Sequence, residues 1–499
     1  MPDRNNRDRK IITKETMPTS SHRRRLLRGI SALPLMGPLL PLGSLAAAEQ
    51  AASPASAPAA PGKNQPNIIF ILADDLGVGD LGVYGQTDFA TPHLDQLARQ
   101  GLRMTQAYAN SAVCSATRFA LITGRYQYRL RGGLEEPIAK ANDQIGLPPS
   151  HPTLPSLLKQ AGYRTALFGK WHLGYLPLYS PLKSGYDIFF GNYGGAIDYF
   201  NHKPAVGANV PQGLYEGEVP APKVGYYTDL ITERALEYIT KAPAQPFFLS
   251  LHYTAPHWPW QGPEDEISTR DLKSLYHNDG GSLATYAKLV GTLDSAVGKI
   301  VALLRQRGLL DNTIVIFTSD NGGERFSRTW PFSGQKTELL EGGIRVPAIV
   351  HWPARIQAGQ VCEQVGISMD WLPTLLAAAG GAPDPAYVPD GENLLPVLLG
   401  QAAPHQRTLY WRYKANNQRA MRVGEFKYLK INQNEFLFNL KQDARERANL
   451  AQKQPQILAQ LKQQWEQWNS AMLPLLKESY THSVHPKTQA DHYRPDADD

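Results

Sequence analysis

Four apolar runs rich in β-branched residues recur along the chain, and each gives way abruptly to polar residues. They are Asn67–Ala73, ending at Asp74-Asp75; Arg164–Phe168, ending at Gly169-Lys170-Trp171-His172; Phe247–Leu251, leading to His257; and Thr313–Phe317, ending at Ser319-Asp320-Asn321-Gly322. A continuous apolar run predicts a strand covered on both faces, as in a parallel sheet between helices. Between these runs, Thr91-Pro92 predicts a capped helix start followed by Leu94, Leu97 and Ala98 on one face. Tyr286, Leu289, Leu293, Val297, Ile300 and Leu304, three or four apart, predict a long amphipathic helix. Strand–helix alternation then predicts an α/β fold, a large, mostly parallel sheet flanked by helices. Ligands of such sheets bind beyond the carboxyl ends of the strands, which is where all four runs deliver their polar residues.

Past residue 400 the pattern changes. Leu409-Tyr410-Trp411, Ala420–Val423, Phe426–Leu429 and Phe436–Leu440 are short strand candidates, followed by a helix from Gln454 to Trp468. This predicts a small C-terminal antiparallel sheet with a terminal helix. The expected organisation is a large α/β domain over 66–400, a small α+β domain over 401–473, and a polar, poorly ordered tail over 474–499. No internal repeat is present.

The formal charge of +6 invites a nucleic-acid reading, but its distribution removes it. Residues 1–48 carry nine Lys/Arg and three Asp/Glu, the entire surplus, and leave 42 basic and 42 acidic residues elsewhere. That leader reads His22-Arg23-Arg24-Arg25-Leu26-Leu27-Arg28, an apolar stretch to Leu45, then Ala46-Ala47-Ala48. It has the charge, apolar run and small-residue cleavage site of an export signal, and resembles the twin-arginine type. Pro34, Pro38 and Pro41 break the run, which argues against a stable membrane anchor. Residues 49–65, rich in Ala, Pro and Ser, read as a linker.

Candidate chemistry gathers at the strand ends. Asp74, Asp75, Asp320 and Asn321 are oxygen donors of the kind that hold Ca²⁺ or Mg²⁺ rather than zinc; read singly, both stretches are also ordinary turns. Cys114 and Arg118 lie one helical turn apart, so both can face one pocket. Lys170 and His172 alternate along an extended segment. Prolines flank His257, and Lys336 precedes Glu341-Gly342-Gly343. Read singly, each of these also has a structural or solvated alternative.

Together these motifs resemble the type I, formylglycine-dependent sulfatases of the alkaline phosphatase superfamily, over residues 66–470. Cys114-Ser115-Ala116-Thr117-Arg118 resembles the signature whose cysteine is oxidised to formylglycine, with Ala116 where proline is usual. Gly162–His172 resembles the second signature, with Phe168 as a departure. The resemblance implies hydrolysis of an aryl or carbohydrate sulfate ester, a small-molecule or glycan substrate, to alcohol and inorganic sulfate. It implies that Asp74, Asp75, Asp320, Asn321 and the modified Cys114 hold one divalent cation, Ca²⁺ in preference to Mg²⁺. Arg118 would stabilise the formylglycine and His172 would hydrogen-bond to it. Lys170, His257 and Lys336 would bind the sulfate, with His257 or Lys336 as general acid. The implied partners are a formylglycine-generating maturation enzyme and the export machinery, and the implied location is the bacterial periplasm. Two rivals stand beside this reading: a phosphate or phosphonate monoester hydrolase of the same superfamily, and a non-catalytic sulfated-glycan binder should Cys114 stay unmodified. Cys362 reads as an ordinary, partly buried thiol.

Overall fold

The apolar runs form the middle of one wide sheet. In the computed structural model, which describes residues 65–204, 213–241, 245–265 and 281–483, the strands in chain order are β1 (Asn67–Ala73), β2 (Leu102–Met104), β3 (Ala107–Tyr108), β4 (Arg164–Lys170), β5 (Ile188–Asn192), β6 (Tyr215–Glu216), β7 (Val219–Pro220), β8 (Phe247–His252), β9 (Thr313–Ser319), β10 (Ala348–His351), β11 (Gln360–Cys362) and β12 (Gly366–Ile367). Ten of them make a sheet of order β11-β2-β10-β9-β1-β8-β4-β5-β6-β7. Its centre, β9-β1-β8-β4-β5, is parallel; β10 on one side and β6 on the other join it antiparallel, and the outermost pair beyond β10, β2 and β11, is parallel. β1 is the axis: Leu72 pairs with His252 of β8 on one side and Ala73 with Ser319 of β9 on the other. The carboxyl ends of β1, β4, β8 and β9 therefore share one edge, and that edge positions the site.

Helices cover both faces. They include α1 (Pro92–Arg99), α2 (Cys114–Thr123), α3 (Leu154–Gln160), α4 (Tyr227–Thr240) and α5 (Leu283–Gln306). The apolar stripe read for α5 is buried throughout, from Tyr286 to Leu304. At α1, Pro92 opens the helix as expected, but the Thr91 hydroxyl caps no helical N–H. It accepts from Gly82 N and donates to Asp95 Oδ1 instead. The short strands β2, β10 and β11, which the hydrophobic pattern did not predict, extend the sheet beyond β9.

The C-terminal part folds as expected into a four-stranded antiparallel sheet, β13 (Thr408–Tyr413), β14 (Gln418–Val423), β15 (Phe426–Ile431) and β16 (Asn434–Asn439), with a helix over Pro455–Ser470 packed on it. The expectation of a poorly ordered tail from 474 needs correcting as far as Ser483. Leu473 N donates to Tyr128 O, Lys414 Nζ donates to Leu476 O and Lys477 O, and Thr481 bridges to Glu136. Main-chain pairing of this kind leaves no hydrophobic pattern in a polar sequence. The rest of the tail, the export signal and the linker up to residue 64 lie outside the described residues. Among the described residues, no helix is long and apolar enough to cross a membrane. Cys114 and Cys362 are both buried free thiols.

Candidate active site

Hydrogen bonding continues one step past the ends of the central strands, and this places the acids. Asp320 N donates to Ala73 O at 3.2 Å, and Asp74 N donates to Ala255 O at 3.2 Å. Asp75 then adopts a left-handed backbone (φ 63°), with its N–H 3.3 Å from Asp320 Oδ1 and its Oδ1 accepting from Asn321 Nδ2 at 2.7 Å. Asp74, Asp75, Asp320 and Asn321 are all buried.

Cys114 is the first residue of α2, entered from an extended Val113, and Ser111 exchanges two hydrogen bonds with Thr117 to fix that entry. One turn on, Arg118 sends Nε to Asp320 Oδ2 at 2.9 Å and Nη1 to Lys170 O at 3.2 Å. All ten residues of α2 are buried, so Arg118 is a desolvated cation held by carboxylates. From the end of β4, Lys170 Nζ reaches Asp74 Oδ2 at 2.5 Å. His172, also left-handed (φ 58°), meets Ile138 O through Nε2 at 2.9 Å. His257 is fixed by its own main chain: its N–H donates to Thr254 O and its carbonyl accepts from Tyr199 Oη. Lys336 Nζ lies 2.6 Å from Asp75 Oδ2, 3.3 Å from Glu324 Oε2 and 3.4 Å from His257 Nε2. All ten residues singled out in the sequence thus converge at one edge of the sheet. His172 joins them through the segment around Ile138 rather than through the carboxylates.

Burial sets the protonation states. It pushes the Cys114 thiol up to about 11, helped by Asp74 against the opposing pull of Lys170. It also raises the Asp74 carboxyl well above the usual range, with Asp320 adding to the effect. For Asp75, burial pulls upward but Lys336 and then His257 outweigh it, so the carboxyl is held low. For Lys336 burial pulls downward, and Asp75 and Glu324 outweigh it, so the ammonium is held well above its ordinary value. His257 is driven well below its ordinary value by burial and by Lys336, against the pull of Asp75. With His257 Nδ1 against Trp258 O, its Nε2 is left to accept from Lys336. His172 is also held neutral, by burial and then Lys170.

The donor set fits a hard divalent cation. Asp74 Oδ1 and Asn321 Oδ1 are buried oxygens with no hydrogen-bond partner among the described residues, and such atoms call for a partner. Ligand atoms of Asp74, Asp75, Cys114 and His257 lie within 4.8 Å of one another. Asp74, Asp75, Asp320 and Glu324 face three cationic side chains, Arg118, Lys170 and Lys336. A dication would convert this acidic excess to a positive site suited to a sulfate monoester anion.

Above this floor, a pocket is lined by Cys114, His172, His257 and Lys336 below and by Ile138, Tyr175, Trp258, Tyr480 and His482 on its walls. Sequence reading missed Glu324, although it directly follows Asp320–Gly323. It missed His252, whose Nδ1 sits 3.3 Å from Arg118 Nη1 at the end of β8. It also missed Tyr480 and His482 in the polar tail. Of the aromatic residues flanking the motifs, Trp258 lines the pocket. Tyr199 is buried packing that holds His257, and Trp260 packs on Phe326.

Comparison with known proteins agrees with this geometry. A family model described as "Sulfatase" matches residues 66–382, and one described as "N-sulphoglucosamine sulphohydrolase, C-terminal" matches 334–471. The chain is 36% identical over 386 residues to N-acetylgalactosamine-6-sulfatase of Homo sapiens, covering 72% of this chain and 71% of the relative. It is 36% identical over 397 residues to arylsulfatase A of Homo sapiens, covering 72% and 74%. A solved structure of Ps i-CgsB in complex with k-i-k-neocarrahexaose superposes with a TM-score of 0.75 at 29% identity, covering 87% of this chain and 98% of that one.

Proposed function

The chain belongs to the sulfatase family and is a sulfuric ester hydrolase, and from that premise we propose that its substrate is a carbohydrate sulfate and its nucleophile a formylglycine made from Cys114. The observation that carries the reading is the position of Cys114. It stands at the start of α2, on the floor of a pocket, beside His172, His257 and Lys336 and above an oxygen-donor cluster. Oxidised and hydrated, Cys114 would supply two hydroxyls, one to attack sulfur and one to help expel sulfate afterwards, which a thiol or serine lacks.

The remaining residues act on charge and protons. Asp74, Asp75, Asp320 and Asn321, with the modified Cys114, would hold a hard dication, Ca²⁺ in preference to Mg²⁺, which lowers the negative charge a nucleophile must approach. Lys170, Lys336 and His257 bind the sulfate oxygens. Lys336 holds the proton at rest and His257 accepts its hydrogen bond, so this pair is the source of a proton for the departing alcohol oxygen. The neutral His172, which lines the same pocket as Cys114 and has a buried Nδ1 with no hydrogen-bond partner among the described residues, would take a proton from the second hydroxyl. Arg118 keeps the residue at 114 oriented through its bonds to Asp320 and to the Lys170 carbonyl. The carbohydrate reading rests on the neocarrahexaose bound by one solved relative, on the N-acetylgalactosamine-6-sulfatase relative and on the Tyr175–Trp258 walls, which suit a pyranose face. Export before action, through the signal at residues 1–48, completes the proposal.

The test is release of sulfate from an aryl sulfate and from mono-sulfated hexoses, and of phosphate from an aryl phosphate, with wild type and Cys114→Ala. Release from the sulfate esters, lost in the variant and after chelation and restored by Ca²⁺ rather than Zn²⁺, is the expected result. Preferred turnover of the phosphate, or an active Cys114→Ala enzyme, overturns it.

A further inference from the structure

The wall of the pocket is built partly from the C-terminal end of the described chain, and the way it is fastened gives that segment a role. Glu136 N donates to Tyr480 O at 2.9 Å, and His482 N donates to Glu136 O at 2.6 Å. Tyr480 N donates to Glu135 Oε2 at 2.9 Å, and Tyr413 Oη donates to His482 O at 2.6 Å. Between them, the Thr481 hydroxyl donates to Glu136 Oε2 at 3.0 Å and accepts from Ala415 N at 3.2 Å. The main chain and Thr481 do the anchoring. Residue alternation therefore sends Tyr480 and His482 to the pocket and Thr481 to the body of the protein.

The segment is also tied to the catalytic floor. Glu135 and Glu136 lead directly into Pro137, Ile138 and Ala139, which form the adjoining wall. Ile138 N is held by Ser115 Oγ at 2.9 Å, next to Cys114, and Ile138 O holds His172. A strand pinned to this wall is thus registered against the nucleophile by a short path. The wall is mostly apolar, contributed by Pro137, Ile138, Ala139, Ala196 and Trp258, and an aryl group would need nothing more. Tyr480 and His482 add a phenol and an imidazole, which are groups that bind hydroxyls, beside surfaces that accept a ring face.

We propose that Tyr480 and His482 form the leaving-group subsite and are specificity-determining residues, reading the hydroxyl-bearing sugar ring that carries the sulfate. This rests on the sulfatase reading above. Side-chain replacement leaves the main-chain anchors in place, so the subsite can be changed without removing the strap.

The experiment compares kcat/KM for 4-nitrophenyl sulfate with kcat/KM for the best substrate among a panel of mono-sulfated hexoses. It uses the full-length protein as wild type, His482→Ala, His482→Gln, Tyr480→Ala and Tyr480→Phe. In His482→Ala and Tyr480→Ala the ratio of sugar to aryl kcat/KM is expected to fall about tenfold or more, mainly through KM, the loss of one or two hydrogen bonds to substrate. His482→Gln should recover part of the ratio, and thermal midpoints should stay close to wild type. An unchanged ratio overturns the proposal, whether both activities survive or both fall together, the latter being the mark of a structural role. A wild type that releases sulfate from neither class fails the parent reading instead, and is distinguishable from both.

Discussion

Lys336 carries more than one duty at the residue scale. Its ammonium is buried, bonds Asp75 and Glu324, and donates to His257, so it offsets buried acids, orients an imidazole and borders the pocket. Lys336→Met should abolish turnover and also lower stability, because removing one partner of a buried pair typically costs about 3–5 kcal/mol. A thermal melt on the purified variant checks the second effect separately from the first. A melt unchanged from wild type would mean that Asp75 finds another partner. The candidate residues themselves were legible because four strands ending in acids, lysines and histidines are hard to explain as turns. His252 and Glu324 were not, since each is a single polar residue whose meaning depends on Arg118 or Lys336, far away in sequence.

Among the elements, the meeting of β4 and β8 shows how backbone geometry reaches the site. Gly169 has φ +115°, and a Cβ built there would lie 2.0 Å from His252 O. That glycine lets the strand pass close to β8 and deliver Lys170 to Asp74. Gly169→Ala should lower the thermal midpoint, costing about 2 kcal/mol or more, and should reduce activity by displacing both Lys170 and the His252–Arg118 contact. Wild-type melting and kinetics in that variant would refute the steric account. The central strands were readable because burial on both faces produces unbroken apolar runs. The edge strands β2, β10 and β11 are too short to leave a pattern. Lys427 of β15 shows another limit. Alternation sets it on the buried face with Leu429, an unusual place for a charge. It is in fact fully buried, with Nζ 2.9 Å from Glu341 and 2.8 Å from Glu446.

That buried pairing joins the C-terminal sheet to the Glu341–Gly343 segment, and Gly322 N donates to Gly343 O, so the small sheet supports the loop behind Asp320 and Asn321. For the whole molecule, stability should also depend on pH through buried histidines. His351 of β10 is buried, and burial, with Arg305 adding, lowers its imidazole from 6.5 to about 4. Between these values the unfolded chain binds a proton that the folded one does not, so this stabilisation is complete above pH 6.5 and is lost as pH falls toward 4. Thermal midpoints measured from pH 7 down to 4.5 should fall, and fall less steeply in His351→Met. Equal slopes would show that His351 does not contribute. The proposed chemistry depends above all on a formylglycine nucleophile at Cys114. It is tested most directly by the mass of the tryptic peptide from Met104 to Arg118, taken from protein made in its own host and shown to release sulfate. The expected result is the aldehyde mass at Cys114; an intact thiol in a sample that hydrolyses sulfate esters would rule out the formylglycine nucleophile.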